Sequence, residues 1–366
     1  MASQFTLLKQ RRFAALFYTQ FFGAFNDNVF KAALSLIFVY SSIVSTEQVD
    51  VFVNVAAGLF ILPFFLFSAT AGQLADKYEK SRLGRIIKTV EILIALLGGL
   101  AVYSQNVYAI LGVLSLLGVQ STFFGPLKYS ILPQQLTNEE LIGGNAQIEM
   151  GTFVSILLGT IVGGVVAINA DVNLWLTVMV VTTASVGYLA SRLIPTCPAT
   201  APALKVNWNP FSATLPMIRE ARSDSTVFLS VLGISWFWLL GSLMLTQIPN
   251  LTRVVLGGAG SVVTLILSVF TIAIAVGSLA CEKLSRQRVE IGIVPVGAFG
   301  LSVAGFDLYL ALTGFHTATS VGWLEFVSLD GALRILLDFG LIEFKMLFTA
   351  IIRARRASGV RSWISA

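Results

Sequence analysis

Histidine and cysteine are almost missing from this chain: His316 is the one histidine, and Cys197 and Cys281 are the two cysteines, in 366 residues. Each scarcity removes a class of chemistry. A membrane acyltransferase of the His-x-x-x-x-Asp type needs a histidine base and a nearby carboxylate. Five residues after His316 stands Val321, so that pair cannot be built and no catalytic residue is assigned. Two cysteines in different apolar segments make neither a disulfide framework nor a thiolate metal site, and no metal or cofactor is expected. Charge is scarce too. Charged residues make up 12% of the chain, whereas soluble domains carry about 25%. What is abundant is apolar: 56% of residues are hydrophobic and 27 are Phe. The composition is that of an all-α integral membrane protein with several spans. Its net charge of +5 reports loop topology rather than a nucleic-acid partner. The first apolar segment is too long for a cleavable signal peptide and lacks a small-residue cleavage site.

Apolar stretches of about 20 residues are read as spanning helices. Ten are expected: 13–40, 50–74, 84–104, 107–131, 144–169, 172–194, 226–248, 258–281, 289–313 and 331–350. The last is the least apolar, with Arg334, Asp338, Glu343 and Lys345. Basic residues alternate between connections. Lys9, Arg11 and Arg12 precede the first span, Lys77, Lys80, Arg82 and Arg85 follow the second, and similar groups follow the sixth, eighth and tenth. The opposite connections hold Glu47, Asp50, Asp171, Glu325 and Asp330, with Arg253 as their basic residue. The positive-inside rule then places the N-terminus in the cytoplasm.

Residues 195–225 break the pattern. Pro195, Pro198, Pro202 and Pro210 cluster there with Lys205, Arg219, Glu220, Arg222 and Asp224. The expected layout is a six-helix bundle over 1–194, a cytoplasmic Pro-containing linker over 195–225, and a second bundle over 226–366 of about four helices and a basic tail. An internal echo supports the halving: Gly72-Gln-Leu-Ala-Asp-Lys77 follows the second span, and Gly277-Ser-Leu-Ala-Cys-Glu-Lys283 follows the eighth. Parallel six-span repeats are the layout of major facilitator transporters.

Four constellations carry candidate chemistry. Asn26, Asp27, Asn28 and Lys31 sit in the middle of the first span. A carboxylate near a bilayer centre costs about 2.5–3.5 kcal/mol on insertion scales, and such groups default to function; the competing reading is a buried polar network joining helices. Asp27 and Lys31 are four apart, on one helix face, and could neutralise each other. The second set is Gly72, Asp76, Lys77 and Arg82, a run suited to a lock that forms in one conformation and breaks in the other. Gly72 would let two helices approach closely. The bland reading is a loop whose basic residues only set topology. The third is Phe123-Phe-Gly-Pro-Leu-Lys128-Tyr129, where Gly-Pro predicts a kink and Lys128 either snorkels or binds phosphate. The fourth is Gln147 and Glu149 ahead of Gly159-x-x-x-Gly163, a close-packing face. Glu149 is a candidate partner for Lys128 or Lys31. Glu91 is expected to pair with Lys88 or a neighbouring helix. Asp307 has no obvious partner in the sequence.

Gln20-Phe-Phe-Gly-Ala-Phe-Asn-Asp-Asn-Val-Phe-Lys31 and Phe124-Gly-Pro-Leu-Lys-Tyr129 resemble the lysophospholipid transporter family of the major facilitator superfamily, over about residues 10–340. The Gly72–Lys77 run resembles the superfamily's signature loop. The resemblance implies the major facilitator fold, with about 10 of the expected 12 transmembrane helices visible. It implies flipping of lysophosphatidylethanolamine, with lysophosphatidylglycerol as a second candidate, across a bacterial inner membrane for re-acylation by an acyltransferase/acyl-carrier-protein synthetase. Asp27 would take the ammonium, Lys31 or Lys128 the phosphate, and Asn26 and Asn28 the glycerol hydroxyl; Tyr129 and Glu149 complete the candidate substrate set. The chain departs from the family after Asp338, so a C-terminally truncated transporter is expected. A proton-coupled exporter of another small amphiphile and a non-transporting remnant are the alternatives.

Overall fold

A computed structural model describes residues 4–40, 43–45, 48–137, 139–167, 171–284, 293–315 and 321–350. His316 and the basic tail after Ala350 lie outside the described residues. Among these residues, twelve α-helices follow a short 3-10 helix, Gln4–Lys9. They are α1 Arg11–Tyr40, α2 Val49–Lys77, α3 Lys80–Tyr103, α4 Val107–Gln135, α5 Glu140–Ala167, α6 Val172–Ser191, α7 Pro210–Ser223, α8 Ser225–Val254, α9 Gly260–Leu284, α10 Ile293–Thr313, α11 Trp323–Ser328 and α12 Ala332–Ala350. The β pairing among the described residues is an isolated bridge between Gly258 and Val321. Helices are the expected answer in lipid, because an unpaired strand leaves its backbone polar groups unsatisfied. Five of them, α2 to α6, contain stretches long and apolar enough to cross a membrane.

Local chemistry sets the helix ends. Asn106 starts α4 by accepting the amides of Tyr108 and Ala109 at 2.9 and 3.1 Å. At the start of α5 the Thr137 amide donates to Glu140 Oε2 at 2.9 Å. Glu79 starts α3, accepting the Ser81 and Arg82 amides at 2.9 and 2.8 Å. The span predicted from 84 therefore begins four residues earlier. The kink predicted at Gly125-Pro126 does not end the helix: α4 runs on through Pro126 and Pro133 to Gln135.

The chain divides into two compact units, Met1–Glu220 and Ala221–Val360. In the first, α1 packs most extensively on α5, and α2 on α4. The α1–α5 contact is close because Gly159 and Gly163 have no side chains. A Cβ on Gly159 would stand 2.6 Å from the Phe25 carbonyl oxygen, and one on Gly163 would strike that of Val29. The packing face predicted from Gly-x-x-x-Gly is therefore real. Gly72 is different: a Cβ there meets nothing within 4 Å, so the close approach expected at that glycine does not occur.

Two apolar clusters form the core of the first unit. One gathers Val29 to Phe38 with Ile94 to Val102, Ile110 to Leu117 and Leu176 to Ala184. The other gathers Phe13 to Phe17 with Ile87, Phe124 to Leu132 and Ile194. Along α1, α3 and α4 alike, a short polar interval separates the two. In the second unit, α12 packs on α10 and α9, and Phe315 meets Phe326 with ring centroids 5.6 Å apart.

The Pro-rich stretch after α6 is more structured than its composition suggests. Its start is a strap tied across the α2–α3 and α4 ends. Lys80 Nζ donates to the Pro198 carbonyl at 3.1 Å and to Thr200 Oγ1 at 2.7 Å. The Cys197 amide donates to Glu79 Oε1 at 2.9 Å. The Thr200 and Ala201 amides both donate to the Asp76 carbonyl at 2.9 Å. Beyond it lies α7, a 14-residue helix that hydropathy does not show.

Candidate substrate site

The polar interval between the two apolar clusters is the candidate site. Asp27 comes from α1, Lys88 and Glu91 from α3, Gln120 and Ser121 from α4. Ser121 Oγ donates to Asp27 Oδ2 at 2.5 Å and lies 3.2 Å from Gln120 Oε1. Gln120 Nε2 donates to Glu91 Oε2 at 2.8 Å, and Lys88 Nζ donates to the same oxygen at 2.6 Å. Lys88 is 1% exposed and Glu91 fully buried, and the Lys88 ammonium lies 4.9 Å from the centroid of the Phe124 ring. The network exists because each helix brings one polar turn to the same level.

Asp27 and Lys31 do not neutralise each other by contact. Ion pairs join Arg12 to Glu140, Lys88 to Glu91 and Arg334 to Asp307. Asp27 instead takes Ser121, while the Lys31 ammonium sits 4.4 Å from the centroid of the Phe60 ring on α2, a cation–π contact. Asn28 Nδ2 donates to the Ala24 carbonyl of its own helix at 2.7 Å. Asn26 is buried, and its Oδ1 has no hydrogen-bond partner; the same holds for Asp27 Oδ1 and Glu91 Oε1.

Lys128, Tyr129 and Glu149 form a second group. The Tyr129 hydroxyl donates to Glu149 Oε1, which joins α4 to α5, and the Lys128 ammonium stands 4.8 Å from the centroid of the Tyr129 ring. Lys128 is seven residues beyond Ser121, which is about 10 Å along α4 at 1.5 Å per residue. The structure thus brings Asp27 and Lys31 within about one helical turn of each other and leaves Lys128 farther off.

The predicted lock residues make different contacts. Asp76 joins the strap through its backbone carbonyl, and the cation closest to it in role is Lys80 rather than Lys77. The Lys77 ammonium lies 5.7 Å from the centroid of the Tyr78 ring, and Arg82 enters through its amide at the Glu79 cap. Partial burial raises the Glu79 carboxyl, but the amides of Cys197, Ser81 and Arg82 and the Ser81 hydroxyl outweigh that and hold it below its ordinary 4.5. Burial pushes the Cys197 thiol up, and the thiol donates to the Pro195 carbonyl at 3.3 Å.

Sequence reasoning missed two members, Gln120 and Ser121, which are ordinary polar residues inside a span; the expected pairing of Glu91 with Lys88 is present. The signal that could have found them is position: 88–91 and 120–121 fall at the same depth along their helices as 26–28. In the second unit Asp307 does have a partner: Arg334 donates through Nε to Asp307 Oδ2 at 3.1 Å and through Nη2 to Oδ1.

The fold and the polar interval within it define a multi-helix membrane transporter. The chain belongs to the Major Facilitator Superfamily, whose family model matches residues 16–343. Solved structures agree on the fold. A bacterial homologue of the iron transporter ferroportin, in an outward-facing state, superposes with a TM-score of 0.61 at 13% identity over 97% of this chain and 89% of that one. The human organic anion transporter MFSD10 (TETRAN) gives 0.64 at 14% identity over 97% and 91%. Within the superfamily, curated relatives carry the name Lysophospholipid transporter LplT. That of Serratia proteamaculans (strain 568) is 27% identical over 312 residues, 83% of this chain and 74% of the relative. That of Yersinia pestis (strain Pestoides F) is 27% identical over 308 residues, 82% and 72%. The lysophospholipid transporter resemblance read from the Gln20–Lys31 and Phe124–Tyr129 motifs is therefore matched across most of the chain. The molecule is a transporter, not an enzyme.

Proposed function

We propose that the chain moves a lysophospholipid, lysophosphatidylethanolamine first, across a bacterial inner membrane by alternating access, delivering it to an acyltransferase/acyl-carrier-protein synthetase on the side where the N-terminus lies. The observation that carries the reading is Asp27, a carboxylate in the middle of α1 with one oxygen on Ser121 and the other without a partner. An ethanolamine ammonium is the group that such an oxygen would accept. Lys31, one turn away and against the Phe60 ring rather than an acid, would take the adjoining phosphate. Gly72, Asp76, Lys77 and Arg82 would belong to the gate, now with Lys80 and the strap.

The test is uptake of labelled lysophosphatidylethanolamine into proteoliposomes. Asp27→Asn keeps the Ser121 bond and removes the charge; a loss of at least tenfold in uptake is expected. Uptake equal to the parent's would overturn the ammonium site. Lysophosphatidic acid, which has no ammonium, should compete poorly with the parent and no worse with the variant.

A proton-coupled exporter of another small amphiphile is the second reading. What favours it is that Asp27 Oδ1 and Glu91 Oε1 are both buried and lack partners, which is where a coupling proton would bind. Uptake that ignores an imposed pH gradient sinks it.

A further inference from the structure

The second unit holds a cluster of charges that the candidate substrate site does not use. Asp307 comes from α10, and Arg334 and Asp338 come from α12, the ninth and tenth of the expected spans. The Arg334 fork is spent on both oxygens of Asp307. Asp338 stands four residues after Arg334, so the two share one face of α12. Its carboxyl also meets the Asp307 carboxyl in a side-chain hydrogen bond. Arg334 and Asp307 are 52% and 39% exposed, but Asp338 is 4% exposed. Asp338 Oδ2 is buried and has no hydrogen-bond partner.

The charges of this cluster do not balance. Two carboxylates and one guanidinium sum to one negative charge when all are ionised, and burying an unpaired charge is costly. The carboxyl–carboxyl contact asks for the same missing particle, because two ionised carboxylates offer four acceptors and no donor. A metal ion or an ammonium would need space beside Asp338 Oδ2; a proton needs none. Among the described residues, no group of three or more His, Cys, Asp or Glu is placed to hold a metal. Nor does another helix bring a balancing charge. On α9, Glu282 and Lys283 fall in the last turns. That is about 14–20 Å along the helix from Ala273 and Val269, the residues beside Gly340 of α12. Arg253 falls in the last turn of α8, and Glu325 is the charge on α11. On α12 itself Glu343 and Lys345 follow Asp338 by five and seven residues, and Asp330 precedes the helix, exposed. The charges that act on Asp338 are those of Asp307 and Arg334.

We propose that Asp307 and Asp338 share one proton, and that this proton decides which carboxylate holds Arg334. With the proton in place, Asp338 is a neutral donor to Asp307, and Arg334 ties α12 to α10. Without it, Asp338 is a second anion one turn from Arg334 on the same helix, and it draws the guanidinium away from α10. Proton binding is thereby linked to the closest-knit helix pair of the second unit. The site stands whatever the transported substrate is, and it makes no use of Asp27.

The test is infrared spectroscopy of the full chain in proteoliposomes at mildly acidic pH, where ordinary carboxyls are ionised. The parent should show a protonated-carboxyl stretch that shifts in D2O, and Asp338→Asn should lose one such band. The same loss is expected in an Asp27→Asn background, which keeps this site apart from the candidate substrate site. A spectrum unchanged by Asp338→Asn overturns the proposal. If Asp338→Asn fails to fold, Asp307→Asn replaces it. One acid then faces one guanidinium, so the band should vanish there too, and a band that persists overturns the shared proton. Amide exchange reads the second half of the proposal. Once the pH is raised until the band disappears, exchange over 304–313 and 332–340 should be severalfold faster in the parent than in Asp338→Asn, whose amide still donates to Asp307. Equal exchange in the two at that pH overturns the exchange of Arg334 between carboxylates.

Discussion

Lys88 and Glu91 are the residues on which the interior of the first unit is most exposed to damage. Both are buried, they bond at 2.6 Å, and Gln120 completes the acceptor. Removing one partner of a buried pair strands the other charge, at a cost of about 3–5 kcal/mol, whereas replacing both by apolar residues of similar size is often close to neutral. Lys88→Met should therefore lower thermal stability in detergent sharply, and Lys88→Met with Glu91→Leu should recover most of the loss. A double variant as unstable as the single one would show that the pair matters for more than its own charge balance. Glu79 makes a prediction in pH. Its carboxyl is depressed in the folded state, so its contribution is complete above the ordinary value of 4.5 and is lost as pH falls through the lower folded value. Glu79→Gln should thus cost stability at neutral pH and flatten the acid limb of the melting-temperature profile.

At the scale of elements, glycines that look alike in the sequence separate by what they face. Gly159 and Gly163 admit the backbone of α1; Gly159→Leu should cost about 1–3 kcal/mol or more by overpacking, measured as a fall in melting temperature. Gly72 faces open space inside a helix. Gly72→Ala should be neutral or stabilise by about 0.5–1 kcal/mol. Loss of transport in that stable variant would locate the need for Gly72 in a conformation other than this one. The spans were legible because hydropathy over 20 residues reports the medium directly. The strap and α7 were not: a strap is held by bonds from Lys80, Glu79 and Gln73, more than a hundred residues away, and α7 is too short and too polar on one side to stand out by hydropathy. Asp307 tells the same story, since Arg334 reaches it only when α10 and α12 pack together.

For the whole molecule, the division into two units makes a test of independence. Phe326, buried in the second unit, shares no partner with Lys88 in the first. Phe326→Ala should cost about 3–5 kcal/mol, and its combination with Lys88→Met should equal the sum within about 0.5 kcal/mol. A larger departure would show coupling between the units.

Composition and span lengths were enough to determine a multi-span helical membrane protein, because lipid imposes length and apolarity one segment at a time, and the resemblance carried by Gln20–Lys31 and Phe124–Tyr129 was enough to point to its transporter family. Which groups Asp27 and Lys31 actually touch was decided only by tertiary structure. Ser121, Gln120, Glu91 and Lys88 lie on other helices, and their meeting depends on the depth at which each helix packs. Sequence spacing within one helix could offer Lys31 as the partner of Asp27; packing between helices gave Asp27 a hydroxyl, Lys31 an aromatic ring, and the buried ion pair to α3.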